Sequence, residues 1–105
     1  MSQVKAVFYL PLQDNDGRDL TAEAEVVKTE LYIRFAGWTF MGYVKGAYRM
    51  LDGSQSLDES AAYLVVLEED RLVELEQVLR EFKSKTTQEA IYLEVQRDVE
   101  TRFVR

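Results

Sequence analysis

"WTFMGYVKGAYRM", Trp38 to Met50, decides how this chain is read. Just upstream, Leu20, Ala24, Val27, Leu31 and Phe35 step by four and three, the apolar stripe of an amphipathic helix. At Trp38 the period changes to two. Trp38, Phe40, Val44, Tyr48 and Met50 share one phase with Gly42 and Gly46, while Thr39, Met41, Tyr43, Lys45, Ala47 and Arg49 share the other. A helix hands over to a long strand. Gly37 suits the stop between them, and Gly42 and Gly46 mark a bulge or bend.

Working outward, "VKAVFYLPL" (Val4 to Leu12) is β-branched and aromatic, a strand closed by Pro11. Asp19 or Thr21 can cap the helix that follows, with Glu23 and Glu25 suiting its positive end. Beyond the long strand, "LDGSQSLDES" (Leu51 to Ser60) is polar and reads as a loop, expected to be the most mobile internal segment. "AAYLVVL" (Ala61 to Leu67) is a continuous apolar run, a strand covered on both faces. Asp70 is placed to cap a second helix carrying Leu72, Leu75, Leu79 and Phe82 on one side and Lys83 and Lys85 at its end. "AIYLEV" (Ala90 to Val95) makes a fourth strand. Val99, Thr101 and Phe103 continue its phase, so an extension or a short fifth strand is expected.

Strand–helix–strand occurs twice. The expected fold is α+β, ferredoxin-like βαββαβ, one domain over 1–105 with both helices on one face of an antiparallel sheet. A plain α+β meander of the same elements is the alternative.

With 105 residues, 47% of them apolar and a single proline, the chain can build one packed core. It has no apolar run long enough for a membrane span and no secretory pattern at its start, and a cytoplasmic location is expected. Cysteine and histidine are both absent, which removes thiolate chemistry, the commonest general base and the commonest transition-metal ligand. A net charge of −6 disfavours duplex nucleic acid and anionic membranes. Neither nucleic acid nor membrane is expected as a partner, and no cofactor is expected.

"LQDNDGRDLTAE" (Leu12 to Glu23) imitates a calcium loop, with Asp14, Asp16, Gly17 and Glu23 at spaced positions. The first ligand position is then Leu12, which has no side-chain oxygen, and a strand precedes the loop where a helix is needed. The simpler reading is a turn at Asn15–Asp16–Gly17 with Asp19 opening the helix, and no metal site is assigned. "GYVKGAYRM" hints at an RNA-stacking strand, but it lies on the second strand and lacks the alternating glycine–aromatic pattern. Gly37, Gly42 and Gly46 do not form a dinucleotide or phosphate loop.

Tyr43, Lys45, Arg49, Gln88 and Glu89 are the candidate ligand-binding residues, with Asp58 and Glu59 as further acid or base groups. Linear spacing does not bring them together, and cross-strand ion pairs account for Lys45 and Arg49 equally well.

In element order and length the chain is similar to the PII-like signalling family, small ferredoxin-like chains with an extended loop between the second and third strands, occupied here by "YVKGAYRMLDGSQSLDES". The resemblance implies a trimer and a regulatory small-molecule binder. That family's phosphate-binding basic residues have no counterpart in this sequence. "FAGWT" (Phe35 to Thr39) and "QEAIY" (Gln88 to Tyr92) resemble strings in small proteins of no assigned activity.

Two helices cover one face of a four-stranded sheet, yet the strands are apolar in both phases. Val7, Tyr9, Met41, Tyr43, Leu64 and Val66 are therefore expected on an uncovered face that a second copy buries, in a dimer or a trimer. A monomer with Asp98 to Arg105 folded across that face is the alternative. The leading functional reading is a self-associating binding or interaction domain without catalysis. A PII-like regulator and a cofactor-free enzyme using carboxylate, tyrosine and arginine groups are its rivals.

Overall fold

The computed structural model describes residues 2–105. Strand β1 (Gln3–Pro11) leads to helix α1 (Thr21–Phe35), then to the long strands β2 (Thr39–Arg49) and β3 (Gln55–Glu68). A 3-10 turn at Glu69–Arg71 opens helix α2 (Leu72–Ser84), and the short strand β4 (Leu93–Gln96) follows. The sheet order is β2-β3-β1-β4 with every pairing antiparallel, the ferredoxin-like arrangement. No helix is long and apolar enough to cross a membrane among the described residues.

The core lies between sheet and helices. Val4, Ala6, Phe8 and Leu10 of β1 and Ala61, Tyr63, Val65 and Leu67 of β3 meet Val27 and Leu31 of α1 and Leu75, Val78, Leu79 and Phe82 of α2. The register explains why alternate residues of both strands share this face: Val4 pairs with Leu67, Ala6 with Val65, Phe8 with Tyr63 and Leu10 with Ala61.

Four local expectations change. The left-handed residue that ends α1 is Ala36 (φ 65°), one before Gly37. Asp70 sits inside the 3-10 turn, and no described side chain caps α2. The last described residues add no strand: β4 ends at Gln96, and Phe103 and Val104 remain exposed.

The fourth change concerns Leu51–Ser60. Only its first part is a turn, with the Gly53 N–H donating to the Met50 carbonyl at 2.9 Å and the Met50 N–H to the Ser54 carbonyl at 2.7 Å. Gly53 (φ 89°) supplies the left-handed residue, and Asp52 accepts from the Ser54 amide and hydroxyl. From Gln55 onward the segment is already β3, paired with β2 from Arg49 back to Lys45. Because β1 stops at Pro11 opposite Ser60, this hairpin runs past the sheet as a two-stranded arm. The chain accordingly has a radius of gyration of 14.4 Å, against about 13 Å for a compact chain of this length.

Gly42 makes the bend the sequence suggests. Phe40 pairs with Tyr63 and Gly42 with Ala62, so Met41 is an extra residue bulged out of the ladder. Gly42 carries φ 115°, which disfavours any side chain. The extra residue reverses the phase of everything after it. Tyr43 therefore follows Phe40 onto the helix side, where the two rings meet edge to face at 5.2 Å.

Candidate functional site

The face of the sheet away from the helices shows Lys5, Val7 and Tyr9 of β1, Ala62, Leu64 and Val66 of β3, Thr39, Gly42 and Val44 of β2, and Glu94 of β4, as the cross-strand register requires. Val7 and Ala62 are buried by their neighbours, while Tyr9, Leu64, Val66 and Val44 are half-buried. Val7, Tyr9, Leu64 and Val66 stand on the face expected of them. Met41 is exposed in the bulge, and Tyr43 belongs to the other side because the bulge turned it there.

Two clefts flank the arm. The larger, about 660 Å³, separates Ser54–Glu59 of the arm from the loop after β1, including Leu12, Asp14 and Asn15. Asp14 is committed to structure. Its carboxylate accepts the Thr87 N–H (2.9 Å), the Thr87 hydroxyl (2.7 Å), the Asn15 N–H (2.9 Å) and the Gln88 amide (3.2 Å), and Arg18 lies 3.3 Å away. Burial alone would raise its pKa. The hydrogen bonds, those from Thr87 foremost, outweigh burial and hold the carboxyl well below the usual range. The calcium look-alike is thus a turn, with Gly17 at φ 87° donating to the Asp14 carbonyl.

The smaller cleft, about 220 Å³, lies on the open-face side, between the arm and the segment that enters β4. Tyr9 and Tyr92 stack at 4.4 Å and 10° on its sheet side. Tyr48 lines it from the arm and lies flat over Gly46, where a Cβ would stand 2.6 Å from its hydroxyl. Asp58 and Glu89 supply carboxylates, and Pro11, Met50, Ser56, Ser60, Gln88 and Ala90 complete the wall. Asp58 accepts the Ser56 hydroxyl at 2.7 Å, and Glu89 accepts the Leu51 N–H at 3.2 Å, tying the arm's tip to the β4 entry. The Tyr92 hydroxyl donates to Glu94 at 3.1 Å, and that carboxylate raises its pKa.

The five candidate ligand-binding residues divide. Gln88 and Glu89 line this cleft. Tyr43, Lys45 and Arg49 lie on the opposite side of the ladder, paired with Ala61, Glu59 and Gln55. The tyrosine wall of Tyr9, Tyr48 and Tyr92 was not legible as a site. The signal for it was Asp52–Gly53, a hairpin turn that sets Tyr48 opposite Ser56 and Gly46 opposite Asp58.

No family model and no curated protein matches the sequence. Solved structures do match the fold. A divalent cation tolerance protein (CutA1) from Thermus thermophilus is 12% identical, with a TM-score of 0.70 over 95% of this chain and 87% of that one. CutA1 from Oryza sativa is 9% identical, with a TM-score of 0.69 over 97% and 84%. A phage SAM lyase in complex with S-methyl-5'-thioadenosine is 20% identical, with a TM-score of 0.64 over 91% and 81%. At these identities the likeness establishes a ferredoxin-like fold shared with CutA1.

Proposed function

We propose that this chain works as a self-associating domain that binds a small molecule beside its hairpin arm. The observation that carries the reading is the sheet face away from the helices. Leu64, Val66, Val44 and Tyr9, each half-buried, form an apolar surface there, while both helices pack on the opposite face. The arm adds support: a lone two-stranded ribbon is marginal in water, yet this one projects with Leu57 and Leu51 largely exposed. β2 is also an edge strand whose outer backbone row has no partner among the described residues. A second copy packed on the face and gripped by the arm would satisfy all three. The CutA1 likeness suits a PII-like binder, and an acidic, cysteine-free chain suits the cytoplasm. Light scattering on the eluting protein tests this. The wild type should give two or three times 12.2 kDa and Leu64→Glu a single chain. A wild-type monomer would refute the reading.

A catalytic reading is favoured by the smaller cleft, whose lining combines Tyr9, Tyr48 and Tyr92 with Asp58 and Glu89, groups able to move protons. The phage SAM lyase shares the fold. Incubation with S-adenosylmethionine tests this reading, with S-methyl-5'-thioadenosine, the molecule that neighbour carries, as the readout. No turnover above that of an Asp58→Asn, Glu89→Gln double variant would dismiss catalysis of this kind.

A further inference from the structure

We infer that the smaller cleft selects a small organic cation of the quaternary ammonium class; this rests on the reading of that cleft as a small-molecule site. Asp58 and Glu89 both line it, and no lysine or arginine does among the described residues. Neither carboxylate takes part in an ion pair among the described residues. Their partners are neutral, the Ser56 hydroxyl and the Leu51 amide, and leave both negative charges uncompensated. An anion entering here would meet two like charges.

The remaining walls narrow the class. Tyr48, Tyr9 and Tyr92 line the cleft; Tyr9 and Tyr92 use one face each on one another, and the aromatic surface that remains attracts a cation within about 6 Å. A compact, strongly hydrated metal ion needs several converging oxygens, and no group of three or more acidic side chains gathers among the described residues. A bulky, weakly hydrated cation needs what is present: ring surface for its methyl groups and carboxylates at a distance for its charge. At about 220 Å³ the cleft holds a headgroup of a few heavy atoms. Gly46 fits the same design, because a side chain there would displace the Tyr48 ring.

Backbone amide NMR on the full chain, titrated with choline and with 3,3-dimethylbutanol, its neutral isostere, tests the inference. Choline should shift the amides of Tyr48, Asp58, Glu89 and Ala90 and bind at least tenfold more tightly than the alcohol. Glu89→Gln keeps the acceptor for Leu51, and Tyr48→Leu keeps apolar bulk; each should weaken choline at least fivefold while leaving the spectrum folded. Equal binding of choline and the alcohol would overturn the charge argument, and undiminished choline binding by Tyr48→Leu the aromatic one. If S-methyl-5'-thioadenosine moves these amides and choline does not, the cleft is a small-molecule site of another class. If none of the three probes moves them, the cleft reading and the cation inference fall together.

Discussion

The Asp14 carboxylate accepts both the backbone N–H and the hydroxyl of Thr87, at 2.9 and 2.7 Å, and so joins the loop after β1 to the loop after α2. Asp14→Asn turns one acceptor into a donor facing those donors, and a loss of about 2 kcal/mol in unfolding free energy is expected. The pH dependence has a definite sign. The folded carboxyl titrates below its ordinary 3.8, so its stabilisation is complete above that value and is lost as pH falls toward the folded pKa. Asp19 and Asp52 are lowered as well, by hydrogen bonds from Thr21 and Ser54, and share the acid limb. Urea melts from pH 5 down to pH 2 should therefore fall less steeply for Asp14→Asn than for the wild type. Parallel slopes would remove Asp14 from this role.

Calcium should leave the melting temperature unchanged. The Asp14 oxygens are occupied by protein donors, and Glu23 is engaged by Arg18 at 3.1 Å. Ligand binding raises the melting temperature only when the folded state offers a site. A rise of several degrees at sub-millimolar calcium, seen by differential scanning calorimetry, would contradict the turn.

Ala36 ends α1 in the left-handed region at φ 65°, where a Cβ is unfavourable. Ala36→Gly should stabilise the fold by about 0.5–1 kcal/mol, part of the relief being offset by the freer unfolded chain. Gly42→Val places a branched side chain at φ 115° in the bulge and should cost about 1–3 kcal/mol. Denaturant midpoints check both. The opposite ordering would show that the bulge and the helix end are not held as described.

Limited proteolysis should cut the internal chain first within 50–54, the tip of the arm, and not within 55–60. The former is a solvated turn whose Leu51 is 93% exposed, and the latter is a paired strand. Cleavage at 55–60 with an intact tip would mean that the arm is frayed.

The elements were legible because their periods are clear: four-and-three before Phe35, two after Trp38, and a pure apolar run at Ala61–Leu67. Two features were hidden for physical reasons. A bulge is a property of two strands together, so one strand's alternation could not say that Met41 drops out and carries Tyr43, Lys45 and Arg49 to the other side. The ten residues from Leu51 look like a loop because the arm has no core to face. Polar residues alternate there for a strand solvated on both sides, which composition cannot separate from a turn. Once the arm is missed, Tyr48 and Asp58 have no reason to meet Tyr92 and Glu89. Gln88 and Glu89 were found as isolated polar residues, without the tyrosines around them.

The face made by Leu64, Val66, Val44 and Tyr9 carries the central claim, since burying the exposed remainder of each would gain about 1 kcal/mol per residue. Sedimentation equilibrium at micromolar concentration measures the consequence directly. The account expects a mass two or three times 12.2 kDa, reduced to one chain by Leu64→Glu. A wild-type mass of a single chain throughout the micromolar range would contradict it.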